Sequence, residues 1–111
     1  MKREEKKIHL VDHIIYADTF WKRLKGLLGT THLSKDNGLL LKPCRQIHTW
    51  GMKYSIDVVY LNESGEIVEI DEHVSPNRWK RKVPEATMVL EVSAGLMKRK
   101  NGFVGQKIDF L

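Results

Sequence analysis

One cysteine, Cys44, is the only thiol among the 111 residues, so no intrachain disulfide can staple this chain and packing alone must hold its fold. Prolines number three and glycines eight, and they fall singly at plausible turns. Without a Gly/Ser/Pro tract, an internal repeat or a low-complexity segment, nothing divides the sequence, and one domain over residues 1–111 is expected. No apolar run reaches the length of a membrane span. The first apolar stretch, residues 8–13 behind the charged residues 2–7, is too short and too charged for a signal peptide, which predicts a cytoplasmic protein. Residues 1–7 read as a flexible basic terminus.

What is present suits a small globular domain. With 41% hydrophobic residues, a chain of this size buries roughly 65% of its unfolded surface. The formal charge of +5 comes mainly from clusters at residues 2–7, 78–82 and 98–100. Such a balance permits nucleic acid or an acidic partner, but solvated loops that keep a small domain soluble give the same composition.

Apolar periodicity predicts the elements. Residues 8–16 alternate imperfectly and are rich in β-branched side chains, as in a first strand. From 19 to 28, Phe20, Trp21, Leu24, Leu27 and Leu28 recur at helical spacing opposite Lys22, Arg23 and Lys25, which predicts an amphipathic helix with Leu24 and Leu27 in the core. Asp18 or Thr19 would cap it and Gly29 would end it, with Gly26 inside the helix at a close packing contact. Residues 38–42 read as a short buried strand stopped by Pro43. Residues 56–61 and 66–72 form a hairpin through Asn62-Glu63-Ser64-Gly65. A further strand over 87–93, one or two helical turns over 94–101 and a last strand over 103–111 complete a mainly β, β-rich α+β fold. The expected architecture is a small barrel-like or rolled mixed sheet with one clear amphipathic helix.

The chemistry-bearing residues concentrate between Cys44 and Asp57, in a loop that feeds a strand, where sites are usually built. Asp57 opens a strand apolar on both faces and shares its face with Val59 and Leu61. Its carboxylate is expected to cap backbone amides in the loop leading from Trp50. His48 follows Cys44 by four residues, yet this pair offers two metal ligands where a structural zinc site wants four and a catalytic one three. A Cys-His nucleophilic pair is possible by spacing, whereas a buried small Cys44 and a hydrogen-bonded His48 need no chemistry. Trp50, Met52 and Tyr54 alternate and would line one face with soft surface for an apolar ligand, or pack in the core. Arg78-Trp79-Lys80 sets a cation beside an aromatic and could clamp an acidic ligand or stack a base. Glu91 sits on an otherwise apolar strand, where pairing with a lysine or arginine would explain it.

Four separated segments carry a family resemblance: Arg23-Leu24-Lys25-Gly26-Leu27-Leu28; Gly38-Leu39-Leu40-Leu41; Ile47-His48-Thr49-Trp50-Gly51-Met52 with Ile56-Asp57-Val58-Val59-Tyr60-Leu61; and Val89-Leu90-Glu91-Val92-Ser93-Ala94-Gly95. In order and spacing they resemble the bacterial and archaeal domain of unknown function 192 family, also called the UPF0127 family. The resemblance implies a compact, mainly β, barrel-like domain with a short helix and no established enzymatic activity. Many members look exported, and this chain has Gly105-Gln106-Lys107 where a Gly-Asp pair is usual.

The first functional reading is a noncatalytic accessory domain that binds a small molecule or a protein, with His48, Trp50, Met52, Asp57, Arg78 and Glu91 as candidate ligand-binding residues. The second is a hydrolase-like or metal-assisted enzyme using His48 and Asp57, with Cys44 or Glu91. The third, weaker reading is a nucleic-acid binder through the basic clusters. No catalytic residue, metal ligand or cofactor is assigned.

Overall fold

The computed structural model describes residues 7–110, so the expected basic terminus over 1–7 lies outside them except for Lys7. Lys7 opens β1 (Lys7–Ile8), which is followed by β2 (His13–Ala17), α1 (Phe20–Lys25) and β3 (Asn37–Leu41). The one strand expected over 8–16 is therefore two. Next come β4 (Ile56–Leu61), β5 (Ile67–Val74), β6 (Met88–Ser93), α2 (Leu96–Arg99) and β7 (Lys107–Ile108). The last strand, expected over 103–111, shrinks to two residues, with position 111 outside the described residues.

All six residues of β4 are buried, which is what a strand without polar alternation requires, since both its faces must be covered. It lies between β6 and β5 in a five-stranded sheet of order β2-β3-β6-β4-β5, while β1 and β7 form a separate parallel pair. β2 runs parallel to β3 and the other neighbours are antiparallel, so the larger sheet is mixed, as expected. Among the described residues the order does not return on itself: the fold is β-rich α+β, and no barrel closes. The expected hairpin is present, and Asn62 builds its turn by accepting hydrogen bonds from the amides of Ser64 and Glu66 through Oδ1.

Strand parity divides the core. Leu40, Val59, Leu61, Leu90 and Val92 meet Ile8, Leu96, Met97 and Ile108 on one face. On the other, Leu39, Leu41, Val58, Tyr60 and Val89 meet Leu27, Ile47 and Met52. None of the described helices is long and apolar enough to cross a membrane.

The helix expected over 19–28 is the main departure. Thr19 does cap it, its Oγ1 accepting from the Lys22 amide, but the helix ends after six residues at Gly26. Gly26 has φ +48°, and a Cβ there would meet only the Arg23 carbonyl oxygen at 3.7 Å. Its role is thus conformational freedom, and the expected close packing is absent. No residue of α1 is buried. Leu24 is 52% exposed and Trp21 74%, while Leu27, beyond the helix, enters the core. Leu27→Ala is accordingly expected to cost about 2–3 kcal/mol and Leu24→Ala under about 1 kcal/mol. Urea denaturation of both variants checks the pair, and equal losses would refute the placement.

Candidate functional site

The long connection from β3 to β4 has few regular hydrogen bonds of its own, so a second loop, residues 75–83, must satisfy its backbone. The two loops run together through Thr49 N to Arg78 O at 2.8 Å, Lys80 N to Ile47 O at 3.1 Å and Val83 N to Arg45 O at 2.8 Å. Thr49 is fully buried and locks the pairing: its Oγ1 donates to the Ser75 carbonyl at 2.7 Å and accepts from the Arg78 amide at 2.9 Å. A threonine in a loop carries no sequence signal of this kind, and it was not anticipated.

Behind this pinned loop, and under the α1 turn, a cleft of about 440 Å³ opens. Its apolar walls include Leu24, Leu27, Leu28, Leu41, Ile47 and Met52, and Glu91 forms part of its lining. Glu91 stands opposite Leu39 on β3 and Val58 on β4, so it projects from the apolar Leu39/Val58/Val89 face. It is 4% exposed. The expected lysine or arginine partner is not there: among the described residues Glu91 has no ion pair or side-chain hydrogen bond. Loss of hydration disfavours the charged carboxylate and pushes its pKa up to about 8.

Cys44 lines the same cleft and donates through its thiol to the Gln46 carbonyl at 3.3 Å. Burial pushes the thiol pKa up, and proximity to Glu91 adds to that, against lowering by the Gln46 bond and Arg23. Such a thiol is a poor nucleophile, since the thiolate is the reactive form. His48 also lines the cleft, with its ring tilted against Trp79 at a centroid distance of 4.8 Å and its Nδ1 accepting from the Trp50 amide.

The other expected site residues disperse. Asp57 is fully buried on the opposite face of the sheet, because it pairs with Val92 while Val58 pairs with Glu91. It does cap backbone amides, but those of His73 (2.9 Å), Gly95 (3.1 Å) and Met97 (3.0 Å), at the end of β5 and the start of α2, rather than those of the Trp50 loop. His48, Asp57 and Glu91 therefore do not converge. No group of three His, Cys, Asp or Glu side chains among the described residues is placed to hold a metal ion.

Residues 50–54 form turns rather than a strand, so the expected alternating face does not exist. Trp50 is exposed outside the cleft lining, Met52 is in it, and Tyr54 turns to hydrogen-bond Thr30. Arg78 is exposed and braced on Ser75. In its basic cluster Lys80 pairs with Asp71 and Arg81 with Glu69, which blunts the expected cationic patch. The cations that do reach the cleft are Arg23, Lys25, Arg45 and Lys82; of these the sequence points only to Lys82, as part of the basic cluster at residues 78–82. For Arg23, Lys25 and Arg45 the only sequence signal is position beside Leu24 and Cys44.

Comparison with known proteins places this geometry in a context. The family model DUF192, described as "Uncharacterized ACR", matches residues 2–110. A UPF0127 protein of Thermococcus sibiricus is 32% identical over 100 residues, covering 85% of this chain and 63% of that protein. The chain thus spans less than two thirds of the length of this relative. A crystal structure of a protein of unknown function from Novosphingobium aromaticivorans is similar with a TM-score of 0.78 at 20% identity, over 85% of this chain and 71% of the other. Another, of a proposed transcription regulator from Sinorhizobium meliloti, is similar with a TM-score of 0.76 at 22% identity, over 83% and 76% of the two chains. At these identities the two structures establish a shared fold alone.

Proposed function

The chain belongs to the domain of unknown function 192 family, and from that premise we propose that it is a noncatalytic binding domain whose small-molecule ligand occupies the cleft above Glu91. One observation carries this reading: Glu91, a residue 4% exposed whose carboxyl has no partner among the described residues, lines a concave space with leucine walls. Buried polar groups are ordinarily satisfied, and one left open toward a cleft is suited to a hydrogen bond from outside the chain. The volume, about 440 Å³, lies within the range of small-ligand sites, and leucine walls joined by charged and polar side chains can seat the apolar and the polar part of such a ligand. Exposed Phe20 and Leu24 at the lining would be covered by the occupant. His48, Met52 and Glu91 keep their place as ligand-binding candidates. Trp50, Asp57 and Arg78 act by shaping the surrounding loops and sheet.

A neutral solvatochromic naphthalene dye tests the site without a charge bias. It is expected to bind the parent with a blue shift and to bind Leu24→Asp at least about tenfold more weakly, a change of about 1.4 kcal/mol. Ile15→Asp, equally exposed but outside the lining, should leave the affinity unchanged. A dye that ignores the cleft variant, or fails to bind at all, would remove this reading.

A further inference from the structure

Resting on the reading of the cleft as a binding site, we infer that its ligand is an amphipathic organic acid, an aliphatic or aromatic carboxylate whose apolar body lies along the leucines. Three features of the cleft lead to it. Arg23, Lys25, Arg45 and Lys82 all line the space, and among the described residues Glu91 is the only acidic one in its lining. The potential at the opening is therefore positive, which attracts an acid and repels an amine. The same lining carries Leu24, Leu27, Leu28, Leu41, Ile47 and Met52, which selects a ligand with a hydrocarbon body.

Glu91 supplies the third feature. A buried carboxylate with no partner among the described residues would call for a cation, but the environment of Glu91 keeps it protonated near neutral pH, because burial disfavours the charge. A protonated carboxyl donates through O–H, and a ligand carboxylate oxygen is its strongest acceptor, forming a short charge-assisted bond. The other groups around it agree with this. From the β3–β4 connection come Cys44, Arg45 and His48, from α1 Arg23 and Lys25, and from the second loop Lys82. On β4, Tyr60 shares the face of Glu91, and its hydroxyl donates to Asp71 at 3.2 Å. On β5, Asp71 stands opposite Val58 and also pairs with Lys80, so its charge is compensated. β3 brings only apolar Leu39 and Leu41 to this face.

Octanoate, octan-1-ol and octylamine share a chain and differ in the polar end, so calorimetric titration of all three against the full chain separates the possibilities. Octanoate is expected to bind at least about tenfold more tightly than octylamine near pH 7. Its affinity should fall by about 30-fold between about pH 7 and pH 9.5, because the bound form retains the Glu91 proton and each pH unit above about 8 costs a factor of ten. Glu91→Gln keeps an N–H donor and cannot ionise, so octanoate should bind it with affinity that does not change over this interval. Lys82→Glu, at an exposed position, should weaken octanoate by about three- to tenfold and leave octanol unaffected. Octylamine binding as tightly as octanoate, or octanoate affinity that does not change with pH in the parent, would overturn the assignment of an acid while the cleft remained a binding site. If none of the three binds and the neutral dye does not either, the binding site itself is refuted.

Discussion

Replacing Asp57 with alanine is expected to lower folding stability by about 4 kcal/mol, the largest single loss anticipated for a polar side chain here. The carboxylate is fully buried and accepts from three backbone amides, those of His73, Gly95 and Met97. Hydrogen bonds to a charged acceptor are worth roughly twice neutral ones, and removing the acceptor leaves the donors dry and unsatisfied. Three elements are tied by one side chain: β4, which carries it, the end of β5, and the turn that starts α2. Asp57→Asn keeps the size but turns an amide NH₂ toward N–H donors, and should cost about 2 kcal/mol. Urea denaturation measures both losses, and amide hydrogen exchange locates them. Exchange at Gly95 and Met97 should accelerate while the loop around Trp50 stays protected. An Asp57→Ala protein within about 1 kcal/mol of the parent would refute this role.

Glu91 predicts the opposite sign. Its pKa is about 8 in the folded protein against an ordinary value of 4.5, so the folded chain holds a proton that the unfolded chain has released. The favourable contribution is complete below pH 4.5 and is lost as pH rises through the interval up to about 8, at about 1.4 kcal/mol per pH unit. Above that interval the loss levels off. Glu91→Gln removes the ionisation and keeps the volume, so it should match the parent near pH 4.5 and exceed its stability by about 3 kcal/mol near pH 7. The difference between the two denaturation curves isolates this group from every other titration. Parallel curves from pH 4.5 to 8 would mean that Glu91 is not isolated from water or charge. A stabilising substitution at a buried position is also what a residue retained for binding would give, since functional sites often sit at a cost to stability.

The sequence by itself determined the strands that could have no other environment. Residues 56–61 are apolar at nearly every position and must be covered on both faces, and Asn62 to Gly65 can hardly be anything but a turn between two apolar runs. Strand parity also made Asp57 share a face with Val59 and Leu61, and Glu91 with Val89. Such rules are local, because they depend on backbone period and side-chain size. The amphipathic pattern over 19–28 was equally local and misled, because periodicity states which side chains align and cannot state what they align against. Gly26 stops the helix after six residues, so Leu27 enters the core on a turn while Leu24 is left at a cleft.

Only the tertiary structure decided which candidates meet. Whether Asp57 and Glu91 share a face depends on the register between β4 and β6, and a shift of one residue would have put them together. That register is set by the summed burial on both faces, a property of the whole sheet. The amides that Asp57 caps lie 16 to 40 residues away in sequence, and the cations that ring the cleft come from α1 and two loops. No pattern along the chain encodes these encounters, because long-range packing chooses them after each segment has already found its local form.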